Sequence, residues 1–131
     1  MTGASKTDGT EAKRDAPGVR VKIYVRDDMI GGGKVELLRL VLEQGSISGA
    51  ARAMGVDYKR AWFLLDTLQR CFDEPLFIAR RGGETQGAEV TPLGRELIQR
   101  FADHKAAVDA LSEGFVDWLT ARQRMDGDER S

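Results

Sequence analysis

The sequence predicts a mainly α-helical α+β domain, in which three short helices precede a small β hairpin and a long C-terminal helix. Three observations support this fold class. Apolar residues recur at helical spacing in segments between residues 34 and 72, and glycines separate these segments. A Thr-Pro pair then opens a fourth periodic segment that runs to about residue 121. A chain of 131 residues fits a single domain.

The composition argues against several classes of protein. The formal net charge is −1, so overall charge gives no sign of a nucleic-acid binder, and the acidic excess lies in residues 101–131. Cys71 is the only cysteine and His104 the only histidine, which argues against a disulfide, a zinc site and a catalytic triad. We therefore expect no metal, no cofactor and no enzymatic activity. The lone thiol and the lack of an apolar span or signal segment indicate a cytoplasmic protein without membrane contact.

The N-terminal region is predicted to contain a polar tail, a strand and a loop. Residues 1–18 are too polar to bury apolar surface, so we expect a disordered tail. "VRVKIYVRD", residues 19–27, alternates as a half-buried strand does, and its basic face is either solvated or in contact with phosphate. Gly31–Gly33 before Lys34 lack the full spacing of a phosphate loop, so we interpret them as a loop that forms a flexible entry to the next helix. The inward residues of the strand would be Val19, Val21, Ile23 and Val25.

Helices one and two are predicted on either side of a glycine. Helix one covers about residues 34–44, and Gly45 ends it in the left-handed conformation that glycine favours. Ser46 then caps helix two. The apolar stripe of helix two is made of small residues, so this helix can lie close to a neighbour. The stripe comprises Ile47, Ala50, Ala51 and Met54, and it is followed by the turn residue Gly55 and by Val56 as a buried plug.

Helix three is predicted at about residues 57–72, with Asp57 as its cap. The apolar spacing assigns Ala61, Leu65, Leu68 and Phe72 to the core, together with Cys71. Tyr58, Lys59 and Arg60 then project from the first turn, where backbone N–H groups and the helix dipole favour an anion. Trp62 is interpreted as packing beneath the strand and the wing, and the alternatives are stacking on a partner or insertion near the backbone. Phe63 does not belong to the apolar stripe of this helix that faces the core.

The C-terminal half is predicted to form a hairpin and a long helix. Leu76 to Arg80 reads as a strand, the polar Gly-rich segment after it as a loop, and Val90–Thr91 as a short return strand. Thr91 is predicted to cap a helix over residues 92–121. Residues 122–131 are predicted to form a disordered tail. The apolar stripe of this helix continues past the region that the other helices can cover, which favours a homodimer held by this helix and the first strand. The alternative is a helix that breaks near Asp103–His104 and folds back. The interface candidates are Phe101, Val108, Leu111, Phe115 and Leu119.

Helix, glycine turn, helix and hairpin, in this order, are typical of a winged helix-turn-helix, here over residues 19–91. The second helix of such a pair enters the major groove of double-stranded DNA. Arginine and lysine near its start can bind phosphate or guanine. The alternatives are ordinary solvated charges, or a protein-interaction module that uses the winged helix only as a scaffold. The candidate DNA-contacting residues are Ser46, Ser48, Asp57, Tyr58, Lys59, Arg60, Arg80 and Arg81.

Two stretches carry a more specific resemblance. "SISGAARAMGVDYKRAW", from Ser46, and "EPLFIARRGGETQGAEVTPLGRELI", from Glu74, resemble the N-terminal domain of ModE-type molybdate-dependent transcriptional regulators. A more distant similarity is to the LysR-type winged helix. The resemblance covers about residues 20–110 and implies a dimeric regulator that binds double-stranded DNA. Asp57 stands where the family has serine, and Phe63 and Leu64 stand where polar or small residues are usual. Because the sequence ends at residue 131, the resemblance implies a DNA reader without the family's oxyanion-binding domains.

Overall fold

A computed structural model describes residues 17–80 and 87–124. It confirms the mainly helical α+β fold with a small β wing. Most of both predicted tails, residues 1–16 and 125–131, lies outside the described residues, as does 81–86 of the wing loop. The elements in chain order are β1 (Lys22–Val25), β2 (Asp28–Gly31), α1 (Gly32–Gln44), α2 (Ile47–Met54), α3 (Tyr58–Gln69), β3 (Phe77–Ala79), β4 (Ala88–Val90) and α4 (Pro92–Ala121).

The first strand belongs to a hairpin that the sequence analysis did not predict. β1 pairs antiparallel with β2, from Lys22↔Gly31 to Val25↔Asp28, through a two-residue turn. The loop predicted at Gly31–Gly33 is therefore wrong, since Gly31 ends β2 and the next glycines begin α1. The predicted inward face is also wrong at Ile23, whose side chain is 39% exposed. The reason is that β2, rather than β1, packs against α1 and α3.

Helices α1, α2 and α3 enclose the core. Leu38 and Val41 from α1 and Leu65 and Leu68 from α3 are fully buried. The small residues predicted on one stripe of α2 lie between these two helices, and Ala50 is also fully buried. Short side chains permit this close approach of three helices. Val56, predicted as a buried plug, is only half-buried against the core, as is Met54.

The end of α3 differs from the prediction because a side chain closes the chain into a turn there. The backbone N–H of Leu76 donates to Gln69 Oε1 at 2.7 Å, and Gln69 Nε2 donates to the carbonyl of Glu74 at 2.8 Å. The helix stops at Gln69, so Cys71 and Phe72 leave the helical stripe and are half-buried. The prediction that Cys71 is a core residue is therefore wrong, because the residue is only half-buried.

Burial raises the pKa of the Cys71 thiol. The nearby carboxylate of Asp28 adds to this increase, and the ammonium group of Lys34 opposes it. A raised pKa keeps the thiol protonated at neutral pH, and only the thiolate is a strong nucleophile. Cys71 therefore lacks the environment of a reactive cysteine.

The β3–β4 hairpin and the start of α4 complete the core, where both β4 and α4 pack against α1. β3 pairs antiparallel with β4, with Phe77 opposite Val90. Thr91 caps α4: its hydroxyl accepts from the Gly94 N–H at 3.1 Å and donates to the Pro75 carbonyl at 2.8 Å. A Cβ atom at Gly94 would overlap the Leu76 carbonyl oxygen and lie 2.6 Å from Val90 Cγ1. The first turn of α4 thus packs directly on the backbone of the hairpin.

Helix α4 is unbroken over 30 residues, about 45 Å at 1.5 Å per residue. The alternative of a break near Asp103–His104 is therefore wrong. Its first turns pack against the core, and Phe101 and Val108 are half-buried. Farther along, apolar side chains lie in solvent: Leu111 is 85% exposed, Phe115 65%, Trp118 53% and Leu119 46%. These four residues are called the α4 apolar patch below.

Candidate nucleic-acid interface

Two glycines end the helices that precede α3 and form the turns between them. Gly45, with φ 76°, and Gly55, with φ 84°, end α1 and α2 in the left-handed conformation, which was predicted for Gly45, whereas Gly55 was predicted only as a turn residue. A residue with a Cβ atom is strained in this conformation. Ser46 caps α2, and its hydroxyl accepts from the Gly49 N–H at 2.9 Å. The three helices are therefore linked by tight turns, and α3 begins at an exposed corner.

The first turn of α3 presents three consecutive exposed side chains. Asp57 caps the helix as predicted, and its carboxylate accepts from the Arg60 N–H at 2.7 Å. Tyr58 is 51% exposed, and Lys59 and Arg60 are exposed as well. The remaining free N–H groups and the positive end of the helix dipole lie at this turn. The arrangement suits an anion in contact with the start of the helix.

An aromatic contact joins this turn to the hairpin. The ring of Tyr58 lies edge-on to the indole of Trp62, with centroids 6.3 Å apart. Trp62 also contacts the ring of Phe77 in β3, with ring centroids 5.9 Å apart. Trp62 is half-buried against the core, in agreement with the interpretation that it packs beneath the strand. The start of α3 and the base of the β3–β4 hairpin are thus held in one arrangement.

At the base of the hairpin, Arg80 is engaged on both its backbone and its side chain. Its N–H donates to the Gly87 carbonyl at 2.7 Å. Its guanidinium forms a 2.7 Å ion pair with Glu89 of β4, and both side chains are 62% exposed. Next to this pair, the Ala88 N–H donates to the Gly45 carbonyl at 2.9 Å, so β4 is tied to the turn between α1 and α2. Arg81, the other wing candidate, lies outside the described residues.

On α2, Ser46 is half-buried and its hydroxyl serves as the helix cap, whereas Ser48 is exposed. Arg52 lies one turn after Ser48 and is also exposed, and it was not among the predicted site residues. The i, i+4 spacing of Ser48 and Arg52 places them on one face of α2. This spacing is the sequence signal that could have added Arg52 to the candidate site.

Phe63 is a second residue that the predicted site omits. It is 53% exposed on α3, and the guanidinium carbon of Arg60 lies 5.6 Å from the centre of its ring. This distance is within the range of a cation–π contact. The sequence signal was the lack of any core role for an aromatic residue at this position.

Two other kinds of feature, a group of metal-binding side chains and a membrane-spanning helix, are absent from the part of the chain that the structure describes. Residues 17–80 and 87–124 hold no group of three or more His, Cys, Asp or Glu side chains suited to a metal ion. Within the same residues, no helix has the length and apolarity that a membrane crossing requires.

Comparison with known proteins identifies the domain. Residues 33–95 match the family model described as "Bacterial regulatory helix-turn-helix protein, lysR family". Molybdenum-pterin-binding protein MopA of Rhodobacter capsulatus is 44% identical over 73 residues, which are 55% of this chain and 28% of that protein. Molybdenum transport protein ModE of Azotobacter vinelandii is 32% identical over 85 residues, 61% of this chain and 32% of that protein. Transcriptional regulator ModE of Yersinia pestis is 33% identical over 69 residues, 52% of this chain and 26% of that protein.

These matches confirm the resemblance stated from the sequence. They support a helix-turn-helix domain of the ModE type in this chain, similar to the N-terminal regions of ModE regulators and to the LysR-type family model. The aligned part of the chain spans about a third or less of the length of these curated relatives.

Proposed function

We propose that this chain is a cytoplasmic, sequence-specific transcriptional regulator that binds double-stranded DNA as a homodimer. The contacts would come from the helix that starts after Asp57 and from the wing, residues 80–89. The observation that carries the proposal is the exposed first turn of α3. It combines Tyr58, Lys59 and Arg60 with a helix N-terminus, on a domain of a DNA-binding family.

The geometry of α3 supports contact with the major groove. One face of the helix is buried in the core, and Lys59 and Arg60 lie on its exposed side in the first turn. In helix-turn-helix proteins, the N-terminal residues of the second helix reach the base edges. Arginine can bind guanine through two hydrogen bonds, and lysine can bind phosphate as a point charge. We therefore assign base contact to Arg60 and phosphate contact to Lys59.

The wing supplies a second contact in this proposal. Arg80 is paired with Glu89, but exposed ion pairs of this kind contribute little to stability. A DNA phosphate can therefore replace the Glu89 carboxylate as the partner of Arg80 at small cost. The contact of Trp62 with Phe77 would keep the wing base at a fixed position relative to α3.

The α4 apolar patch supports the dimer. Exposed apolar surface on the last third of a long helix is typical of an interface. A two-fold dimer would present two copies of α3 to two DNA half-sites. The residues assigned to this interface are the predicted Phe101, Val108, Leu111, Phe115 and Leu119, together with Trp118.

Selection of bound sites from a random duplex library tests the proposal. We expect an enriched palindrome and an affinity for it that falls steeply with salt concentration, since phosphate contacts release counterions. The absence of salt-dependent binding to any duplex would reject DNA binding and favour the protein-interaction module.

A further inference from the structure

We infer that Phe63 contacts DNA bases and reads the C5-methyl group of a thymine in the major groove. This inference rests on the proposed function, because it assigns a specificity to the same helix. It concerns a residue outside the predicted site, on the part of α3 that lies beyond the first turn.

Phe63 lies on the outward line of α3. Lys59, Phe63, Asp66 and Arg70 are spaced by four, three and four residues, and all four are exposed. The opposite side of the helix carries the buried Ala61, Leu65 and Leu68. Side chains with this spacing share one face of a helix. A duplex that approaches the cation of Lys59 along this face would therefore also meet the ring of Phe63.

The charges beside Phe63 favour DNA as the occupant. Asp66 forms an ion pair with Arg70 at 3.1 Å, so the one acidic residue on the outward line is neutralised. Arg60 lies over the ring and brings a second cation next to it. An apolar side chain flanked by cations matches the major groove, where the thymine methyl is the only apolar group on the base edges and phosphates line both sides.

The contrast with Trp62 supports the assignment. Trp62 is half-buried and held between Tyr58 and Phe77, so its ring serves the fold. Phe63 is 53% exposed, and its ring contacts the guanidinium group of Arg60. The alternative occupant is a second copy of the chain, because Phe63 also lies at the edge of a groove that contains Val21 and Phe101. The experiment below separates the two.

The test uses the full chain and the duplex selected from the random library. Each thymine is replaced in turn by deoxyuridine, which removes only the C5-methyl group. We expect one replacement in each half-site to weaken binding about fourfold, the factor that corresponds to ~0.8 kcal/mol for a buried methylene-sized group. Phe63→Ala should bind the thymine duplex and the deoxyuridine duplex with equal affinity. Phe63→Leu, which keeps an apolar side chain, should retain part of the preference for the thymine duplex.

Three outcomes would overturn the inference. One is a wild-type protein that binds DNA with no sensitivity to any thymine methyl, and another is a Phe63→Ala variant with unchanged sensitivity. The third is a Phe63→Ala variant that loses the dimer in sedimentation equilibrium, which would assign the ring to contact with a second copy. In all three outcomes the wild-type chain still binds DNA, so the proposed function stands. If the wild-type chain binds no duplex, the proposed function and the inference fail together. Because Phe63 is exposed, the variants should keep the wild-type circular dichroism spectrum.

Discussion

Trp62 in the middle of α3 packs against Phe77 in the first strand of the wing, with ring centroids 5.9 Å apart. The contact joins the helix proposed to enter the major groove to the hairpin proposed to contact the backbone. Neither element therefore moves independently of the other at this point.

Trp62→Ala should weaken both the fold and DNA binding. The loss of a half-buried indole removes contacts with Tyr58 and Phe77, and we expect the free energy of unfolding to fall by about 2–3 kcal/mol. Thermal or urea unfolding measures this change. Trp62→Phe is the matched control and should recover most of the stability. A Trp62→Ala protein as stable as the wild type would show that the aromatic contact does not support the domain.

Gly94→Ala and Gly114→Ala should change stability in opposite directions, although both add one methyl group to α4. At Gly94 the new Cβ atom would overlap the Leu76 carbonyl oxygen, and overpacking of this kind costs about 1–3 kcal/mol or more. At Gly114 the new Cβ atom would meet no atom within 4 Å outside the adjacent residues and the helix's own backbone, so alanine should stabilise the helix by up to about 1 kcal/mol. Urea unfolding of the two variants gives the comparison. Equal effects would contradict the close packing of α4 on the hairpin.

Arg60→Ala and Lys59→Ala should weaken DNA binding without unfolding the domain. We expect a cost of about 1–3 kcal/mol and relaxed sequence preference for Arg60→Ala, which removes the proposed base contact. Lys59→Ala should weaken binding to all sequences alike and reduce the salt slope by about 1. Arg100→Ala, which removes one exposed positive charge from α4, is the control. Unchanged affinity in both single variants and in the double variant would reject the assignment.

Glu89→Gln should strengthen DNA binding, whereas Arg80→Ala should weaken it. The first change releases the Arg80 guanidinium from its 2.7 Å ion pair and removes a negative charge beside the proposed phosphate contact. Both changes should alter the free energy of unfolding by less than about 1 kcal/mol, because the pair is exposed. Titration of a labelled duplex at two salt concentrations measures the affinities. Weaker binding by Glu89→Gln would contradict a phosphate contact at Arg80.

Leu111→Glu and Phe115→Glu should convert the dimer into a monomer. Each change places a charge in the α4 apolar patch, and an unpaired charge in an interface is costly. Sedimentation equilibrium at micromolar concentration measures the mass, and DNA affinity should fall with it because one half-site is lost. Ala110→Glu adds the same charge at an exposed position next to the patch in sequence and should remain a dimer. A wild-type chain with a monomer mass would exclude the dimer.

The elements predicted best from the sequence are those that local chemistry determines. Gly45 and Gly55 each end a helix in the left-handed conformation that glycine favours. Ser46, Asp57 and Thr91 cap the helices that follow them. The ranges of α2 and α4 followed directly from these signals. The basic first turn of α3 was identified in the same way, from the register of the apolar residues behind it.

The elements that were missed depend on tertiary contacts. β2 contains Met29, Ile30 and Gly31, and only its pairing with β1 and its packing on two helices make it a strand. The end of α3 is set by hydrogen bonds from the Gln69 side chain to a loop that follows it by five to seven residues. The ion pair between Arg80 and Glu89 requires the hairpin register, which a one-dimensional pattern does not contain.

The hydrogen bond from the Arg80 N–H to the Gly87 carbonyl closes the wing at its base, and the Ala88 N–H fastens that base to Gly45. The two residues that flank the segment 81–86, Arg80 and Gly87, are therefore held together by a backbone hydrogen bond. Lengthening a loop whose ends are held in this way costs only about 0.6 kcal/mol for each doubling of its length. The segment is thus a natural insertion point, where evolution can diversify the sequence or an engineer can add a fluorophore or a peptide tag while the helices retain their packing.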